Sequence, residues 1–115
     1  MIFVFDAEVV ITIVENLVSN AVKYTDKGFI KLTLNTSNEN GIKYVNIEVE
    51  DTGYGISEEN QPRIFDRYYQ VESNKHTSSG TGIGLALVES LVKLHDAEIF
   101  VSSTLDVGSK FKVRF

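Results

Sequence analysis

The chain contains no cysteine and no tryptophan, and it has one proline and two histidines among its 115 residues. The absence of cysteine excludes disulfides, thiolate metal ligands and a cysteine nucleophile, and two histidines are too few for a typical zinc site. No apolar run approaches the roughly 20 residues that a helix needs to cross a bilayer. We therefore expect a soluble domain that is stabilised by its hydrophobic core.

Positive charge is also scarce in this chain. Eleven Lys and Arg residues stand against sixteen Asp and Glu residues, which gives a formal net charge of −5. A protein that binds nucleic acid or an anionic membrane over a broad surface needs the opposite balance, so we expect neither partner. The hydrophobic share of 43% is ordinary for a globular protein, and the length suits a single domain.

The first quarter of the chain predicts a strand that runs into a helix. Residues 2–5 are apolar and typical of a strand, and Asp6 then stands at the N-cap position of a helix. Apolar residues recur every three or four positions over 9–24, which predicts an amphipathic helix that ends before Gly28.

The remaining patterns predict two pairs of strands around a second helix. Residues 29–36 and 44–50 alternate as strands joined by a hairpin loop at 37–41, and Pro62 lies in a short helical stretch. Adjacent strand pairs favour antiparallel hairpins, so we expect an α+β fold, with helices on one face of a mixed, mostly antiparallel sheet and the other face partly open. The later elements are a polar loop over 66–79, a helix over 82–95, and strands over 98–103 and 110–115 joined by a turn at 106–108.

Three polar residues of the first helix lie on one stripe. Asn16, Asn20 and Lys23 are spaced i, i+4 and i+7, beside the apolar face. A carboxamide oxygen suits Mg²⁺ that keeps most of its coordination for water and phosphate, and a lysine can neutralise phosphate charge. The alternative is a solvated polar face without a function.

Two glycine-containing segments are further candidates. Asp51 follows a strand and precedes Gly53 and Gly55, so its carboxylate could accept a hydrogen bond from an exocyclic amine while the glycines let backbone approach a flat ring. The alternative is that this segment is only a turn. The segment 80–85 opens the second helix, where free N–H groups favour phosphate, but its spacing fits neither a P-loop nor a dinucleotide fingerprint.

The order of these motifs is more specific than any one of them. Residues 15–25, 51–56, 64–70 and 80–85 resemble, in this order, the N, G1, F and G2 boxes of sensor histidine kinases. The resemblance covers nearly the whole chain. It implies the catalytic ATP-binding domain of the wider family that includes the gyrase, Hsp90 and MutL ATPases, and a two-layer α/β sandwich that holds ATP between helices and a lid.

The resemblance also implies roles for individual residues. Asn20 resembles the magnesium-binding asparagine, Lys23 and Tyr24 the phosphate-side residues, and Asp51 the acid that reads the adenine amino group. Asn16, Asn20 and Lys23 form the implied catalytic set. The other implied nucleotide-binding residues are Gly53, Gly55, Ile56, Phe65, Gly80, Thr81, Gly82, Ile83, Gly84 and Leu85, in which the glycines of the last segment hinge the lid.

Asn16 and the two histidines limit which activity of the resembled family we expect this chain to have. Asn16 stands where gyrase-like relatives carry a glutamate that activates water, and an amide cannot act as a general base. His76 and His95 lack the helical context of the family's phosphoacceptor, so we expect that histidine elsewhere. The pair Asp96 and Ala97 replaces a common Gly-Gly turn, which we expect to alter the turn only.

The resemblance implies one domain, residues 1–115, of an N-terminally truncated kinase without its dimerisation domain. Its implied activity is ATP-dependent phosphorylation of a histidine on that separate domain, with ATP and Mg²⁺ as cofactors and a response regulator as the next acceptor. We expect the bacterial cytoplasm as its location, whether or not the parent is an inner-membrane protein, and no direct membrane contact. The alternatives are a nucleotide-binding module without catalysis and a serine kinase of the anti-sigma type.

Overall fold

The computed structural model describes residues 6–66 and 84–115. The predicted strand at 2–5 and nearly all of the predicted loop at 66–79 lie outside these ranges. The described elements, in chain order, are helix α1 (Ala7–Lys23), strands β1 (Ile30–Glu39) and β2 (Ile42–Asp51), a 3-10 turn (Gln61–Arg63), helix α2 (Gly84–Leu94), and strands β3 (Glu98–Thr104) and β4 (Gly108–Arg114).

Helix α1 begins where the sequence predicts. The side chain of Asp6 accepts a hydrogen bond of 2.9 Å from the backbone N–H of Glu8, as expected of an N-cap residue. Ile13, Leu17 and Ala21 lie at most 1% exposed on the face that the apolar periodicity predicts. The N-cap and the amphipathic pattern therefore fix both the start of this helix and its rotation about its axis.

The hairpin between β1 and β2 is tighter than the sequence analysis predicts. Its loop is Asn40 and Gly41 alone, with φ values of 53° and 82°, and Glu39 already pairs with Ile42. Two consecutive left-handed residues make a type I′ turn, whose twist matches that of the strands. The predicted loop at 37–41 is therefore wrong, because Asn-Gly alone reverses the chain and lets both strands continue to the turn.

The four described strands form one sheet in the order β1-β2-β4-β3, and each described pair is antiparallel. Both helices pack on the same face of this sheet, which confirms the predicted two-layer α+β architecture. The shared core consists of Ile13, Leu17 and Ala21 from α1, Val88 and Val92 from α2, Val49, Phe111 and Val113 from the sheet, and Ile64.

The outer face of the sheet is mostly polar, and Arg114 packs between two aromatic rings on it. The Arg114 guanidinium lies 4.4 Å from the ring centroid of Tyr44 and 5.4 Å from that of Phe100. Asn46, beside Arg114 in the register, is 2% exposed and donates hydrogen bonds of 3.0 Å to Asn35 and Ser37. The outer face is therefore partly open, as expected, and Asn46 is a buried position on it, where the long side chain of Arg114 lies on the neighbouring strand.

The turn after α2 uses a left-handed residue that is not glycine. Asp96 has a φ of 54°, and the N–H of the following Ala97 closes the helix on the carbonyl of Val92 at 2.9 Å. This conformation is strained for residues with a Cβ, and glycine is the residue that helices most often use there.

Replacement Asp96→Gly should therefore stabilise the protein. We expect the free energy of unfolding in urea to rise by about 0.5 kcal/mol, since roughly 1 kcal/mol of left-handed strain is relieved against the extra entropy that glycine loses on folding. Asp96→Ala is the matched control, because alanine keeps the Cβ and should give no gain. Equal effects of the two variants would show that the carboxylate, and not the backbone, decides the outcome.

Candidate functional site

The candidate site begins at the last residue of β2. Asp51 is 6% exposed and accepts a hydrogen bond of 2.9 Å from the backbone N–H of Gly53. Burial raises the pKa of its carboxyl above the ordinary 3.8, against the lowering effect of backbone hydrogen bonds from Gly53 and Ser109, and the nearby charge of Glu50 raises it further. A buried carboxylate with spare acceptor capacity is suited to a polar ligand group.

The glycines after Asp51 are required by other parts of the chain. A Cβ at Gly53 would overlap the carbonyl oxygen of Tyr24 and lie 2.9 Å from its carbonyl carbon. A Cβ at Gly55, whose φ is +70°, would overlap the carbonyl of Thr104. These two glycines let the turn pack against the end of α1 and the β3–β4 turn, independently of the nucleotide-binding role that the sequence analysis assigns to them.

A network that the sequence analysis missed holds the other end of this turn. The Ile56 N–H donates to the Ser103 hydroxyl at 2.7 Å, and the Gln61 amide donates to the carbonyls of Ile56 at 2.9 Å and Ser103 at 3.3 Å. Ser103 and Ser109 occupy positions that alternation along β3 and β4 assigns to the core side. A polar residue at a position that faces the core is the sequence feature that could have predicted this network.

The loop after α1 is attached to the same turn. The Tyr54 N–H donates to the carbonyl of Tyr24 at 3.2 Å, and its hydroxyl donates to the carboxylate of Asp26. That bond to Asp26 raises the pKa of Tyr54. Tyr24 and Asp51, at the ends of α1 and β2, are thereby held close together.

The polar stripe of α1 faces the start of α2. The Asn16 amide donates to the carbonyl of Thr12 at 2.7 Å, and its Oδ1 would lie 2.9 Å from a Cβ at Gly84. Asn20 follows one turn later on this flank, and the Lys23 ammonium lies 5.2 Å from the ring centroid of Tyr24. The structure therefore places the first residue of α2 beside Asn16, and the turn after β2 beside the C-terminal end of α1.

The remaining predicted site residues divide into two groups. Ile56, Phe65 and Leu85 are partly buried and pack against the hydrophobic core. Gly80, Thr81, Gly82 and Ile83 lie outside the described residues.

Two kinds of feature are absent from the part of the chain that the structure describes. Within residues 6–66 and 84–115, no three His, Asp or Glu side chains are grouped so as to hold a metal ion. In the same ranges, no helix has both the length and the apolar character to cross a membrane.

The chain is similar to known proteins in both sequence and fold. A family model described as "Histidine kinase-, DNA gyrase B-, and HSP90-like ATPase" matches residues 5–115. The chain is 36% identical over 111 residues to Drug sensory protein A of Synechocystis, and 40% identical over 103 residues to Sensor histidine kinase RcsC of Escherichia coli K12. The crystal structure of full-length ShkA in complex with AMPPNP matches with a TM-score of 0.76 and 31% identity.

The matches cover most of this chain but little of its relatives. They include 90% and 89% of the chain for the two curated proteins and 92% for ShkA. The same alignments cover only 17%, 10% and 21% of those proteins. The similarity therefore concerns one domain of longer proteins, and it confirms the predicted fold.

If Gly53 is required for packing, replacing it with alanine should destabilise the protein more than the same replacement at a glycine that contacts nothing. Gly53→Ala should lower the free energy of unfolding by about 2 kcal/mol or more, because the new Cβ displaces the end of α1. Gly41→Ala is the control, since its Cβ would meet nothing within 4 Å and only its φ of +82° is unfavourable, at about 1 kcal/mol. Urea denaturation measures both, and equal losses would contradict the packing role.

Proposed function

The chain belongs to the family of histidine kinase-, DNA gyrase B- and HSP90-like ATPases, and from this premise we propose that it binds Mg-ATP and transfers the γ-phosphoryl group to a histidine. That histidine belongs to a separate dimerisation domain of the parent sensor kinase. A response regulator is the next acceptor, and the reaction takes place in the bacterial cytoplasm, where ATP is.

The buried carboxylate of Asp51 is the observation that carries this proposal. Asp51 is only 6% exposed, and burying an ionised carboxylate costs free energy unless hydrogen bonds or opposite charges compensate it. The backbone N–H groups of Gly53 and Ser109 compensate only part of this cost. An exocyclic amine of adenine supplies a further donor in a flat group that the turn at Gly53 and Gly55 can flank. Asp51 therefore binds the adenine, with Ile56 and Phe65 as apolar contacts.

The phosphates then lie along the polar flank of α1 and the start of α2. Asn20 offers an amide oxygen, a neutral hard ligand that suits Mg²⁺ with phosphate oxygens and water completing its coordination. The bound ion would neutralise phosphate charge. Lys23 and Tyr24 bind the phosphates from the end of α1, and residues 80–85, with Gly84 and Leu85 at the start of α2, contribute backbone N–H groups.

Asn16 favours phosphoryl transfer to a protein over hydrolysis. Its amide nitrogen already donates to the carbonyl of Thr12, and an amide has no basic group that could take a proton from water. The site therefore lacks at this position the base that an efficient ATPase needs, and a bound γ-phosphate is kept for an acceptor residue. The same feature ranks an anti-sigma-type serine kinase lower, since those relatives generally keep a glutamate here.

The acceptor histidine comes from outside this chain. His95 directly follows the last residue of α2, whereas it is the first residue of that helix, Gly84, that lies beside Asn16. The relatives are several times longer than the aligned domain, which leaves room for a helical domain that carries the acceptor. A nucleotide-binding module without catalysis is the second candidate, and transfer to an added dimerisation domain distinguishes it.

Asp51→Asn should weaken ATP binding about 10- to 100-fold at neutral pH, the range for a lost hydrogen bond to a charged group. Lowering the pH should weaken binding to the wild type as well, because protonation at the raised pKa of Asp51 replaces the charged acceptor with a neutral carboxyl that accepts more weakly. Isothermal titration calorimetry between about pH 7 and pH 4.5 measures both effects.

The Asp51→Asn variant is also the control for this pH series. Its ATP affinity changes with pH only through protonation of the nucleotide and of other groups. The contribution of Asp51 is therefore the difference between the pH dependence of ATP affinity in the wild type and that in the variant. Wild-type binding that follows the same pH curve as the variant would contradict the adenine-binding role.

Mg²⁺ raises the affinity for ATP, and this increase should be about tenfold smaller in Asn20→Ala than in the wild type. Tenfold is the lower end of the loss seen when a metal site is disturbed. Binding without Mg²⁺ should change little. Asn38→Ala removes an exposed amide from β1 and is the matched control. Full magnesium dependence in Asn20→Ala would show that Asn20 is only a surface residue.

A further inference from the structure

The side chain of Asn16 lies between the two helices and is held from one side. Its amide nitrogen donates a hydrogen bond of 2.7 Å to the carbonyl of Thr12, one turn earlier in α1. This bond fixes the plane of the amide, and with it the position of the oxygen Oδ1. A Cβ placed on Gly84 would lie 2.9 Å from that oxygen. The amide of Asn16 therefore lies directly against the first residue of α2.

This contact, and not the backbone conformation, is what requires a glycine at residue 84. Gly84 is helical, and every L-residue can adopt a helical φ. Alanine is also the better helix former, so helix propensity does not favour glycine here. Among the described residues, and apart from neighbouring parts of its own chain, the atoms nearest to a Cβ at Gly84 all belong to Asn16: Oδ1 at 2.9 Å, Cγ at 3.8 Å and Cβ at 3.9 Å.

The middle of α2 is held separately, by the hydrophobic core. Val88 and Val92 are buried and pack with Ile13 and Leu17 of α1. Val88 follows Gly84 by about one helical turn, or about 6 Å along the axis. The core therefore fixes α2 at its middle, and the amide of Asn16 supplies a second contact at its start. Together the two contacts determine how closely the first turn of α2 approaches α1.

We propose that Asn16 is a positioning residue whose side-chain length sets the spacing between α1 and the first turn of α2. In the proposed function, α1 presents Asn20 and Lys23 to the phosphates, and the start of α2 presents backbone N–H groups. The spacing decides whether both helices reach the same phosphate chain at once. The inference rests on the proposed function, because it gives Asn16 a part in phosphate binding that needs no contact with the nucleotide.

Gly84→Ala tests the spacing from the side of α2. The new Cβ and the oxygen of Asn16 cannot remain 2.9 Å apart, so either the start of α2 moves away from α1 or the amide leaves Thr12 and no longer holds the spacing. We expect the Kd for ATP with Mg²⁺ to rise about fivefold, the value of one ordinary hydrogen bond. The Kd for adenosine, which has no phosphate, should stay unchanged.

Isothermal titration calorimetry measures both ligands. Ser90→Ala, at an exposed position of α2, is the matched control and should change neither Kd. A merely structural role of the contact would weaken ATP and adenosine alike in Gly84→Ala, and that result would overturn the inference.

The double variant Asn16→Ala with Gly84→Ala separates spacing from direct contact with the ligand. Its two Cβ atoms would lie 3.9 Å apart, an ordinary van der Waals distance, so the second substitution fills the space that the first one opens. We expect the double variant to bind ATP about fivefold more tightly than Asn16→Ala alone. If Asn16 bound Mg²⁺ or phosphate itself, the double variant would bind no better than Asn16→Ala, which would overturn the inference. This comparison decides the matter even if Gly84→Ala alone does not fold.

The wild type distinguishes a failure of this inference from a failure of the proposed function. Folded wild-type protein that binds neither ATP nor adenosine would overturn the proposed function, and the inference with it. Wild-type protein that binds both ligands, together with an unchanged ATP affinity in Gly84→Ala, would overturn the role of Asn16 alone.

Discussion

The pairing of Asp51 with Ser109 is the contact on which the candidate site depends. It joins β2 to β4, two strands far apart in sequence, and it requires Gly108, where a Cβ would overlap the Asp51 carbonyl oxygen and lie 3.0 Å from its carbon. This pairing places Asp51 beside Ser109 and Ser103, and Ser103 in turn holds Ile56. The turn after β2 is thus fixed at both ends, which reduces the ordering that the proposed nucleotide binding must accomplish.

This arrangement lowers the stability of the unliganded domain. The folded pKa of Asp51 lies above its ordinary value of 3.8, so its stabilising contribution is complete below that value and is lost as the pH rises through the folded pKa. At neutral pH the domain therefore carries an ionised group that folding disfavours. Apolar rows such as Val49 and Phe111 directly beneath it offset this cost, and a ligand amine would recover part of it.

The sequence predicted the parts of this structure that short-range rules control. Asp6 as an N-cap and the buried stripe of Ile13 and Leu17 are local properties of one helix, and both are confirmed. The role of Ser103 could not be predicted in the same way, because its partners at Ile56 and Ser109 meet it only once the sheet order is known. The polar positions on the core side of β3 and β4 were visible in the alternation, but their pairing was not.

The glycines show that the residues by which a sequence motif is recognised are not necessarily the residues that carry out the reaction. Gly53 and Gly55 admit the carbonyls of Tyr24 and Thr104, so the fold itself excludes larger residues at both positions. A relative that had lost all catalysis would still need them in order to fold. Asn16 and Asn20, by contrast, are half-buried side chains on a flank of α1 and not glycines pressed against backbone carbonyls. Kinase activity in this fold is therefore better tested at the asparagines, and nucleotide binding at Asp51, than at the glycines that make the motif recognisable.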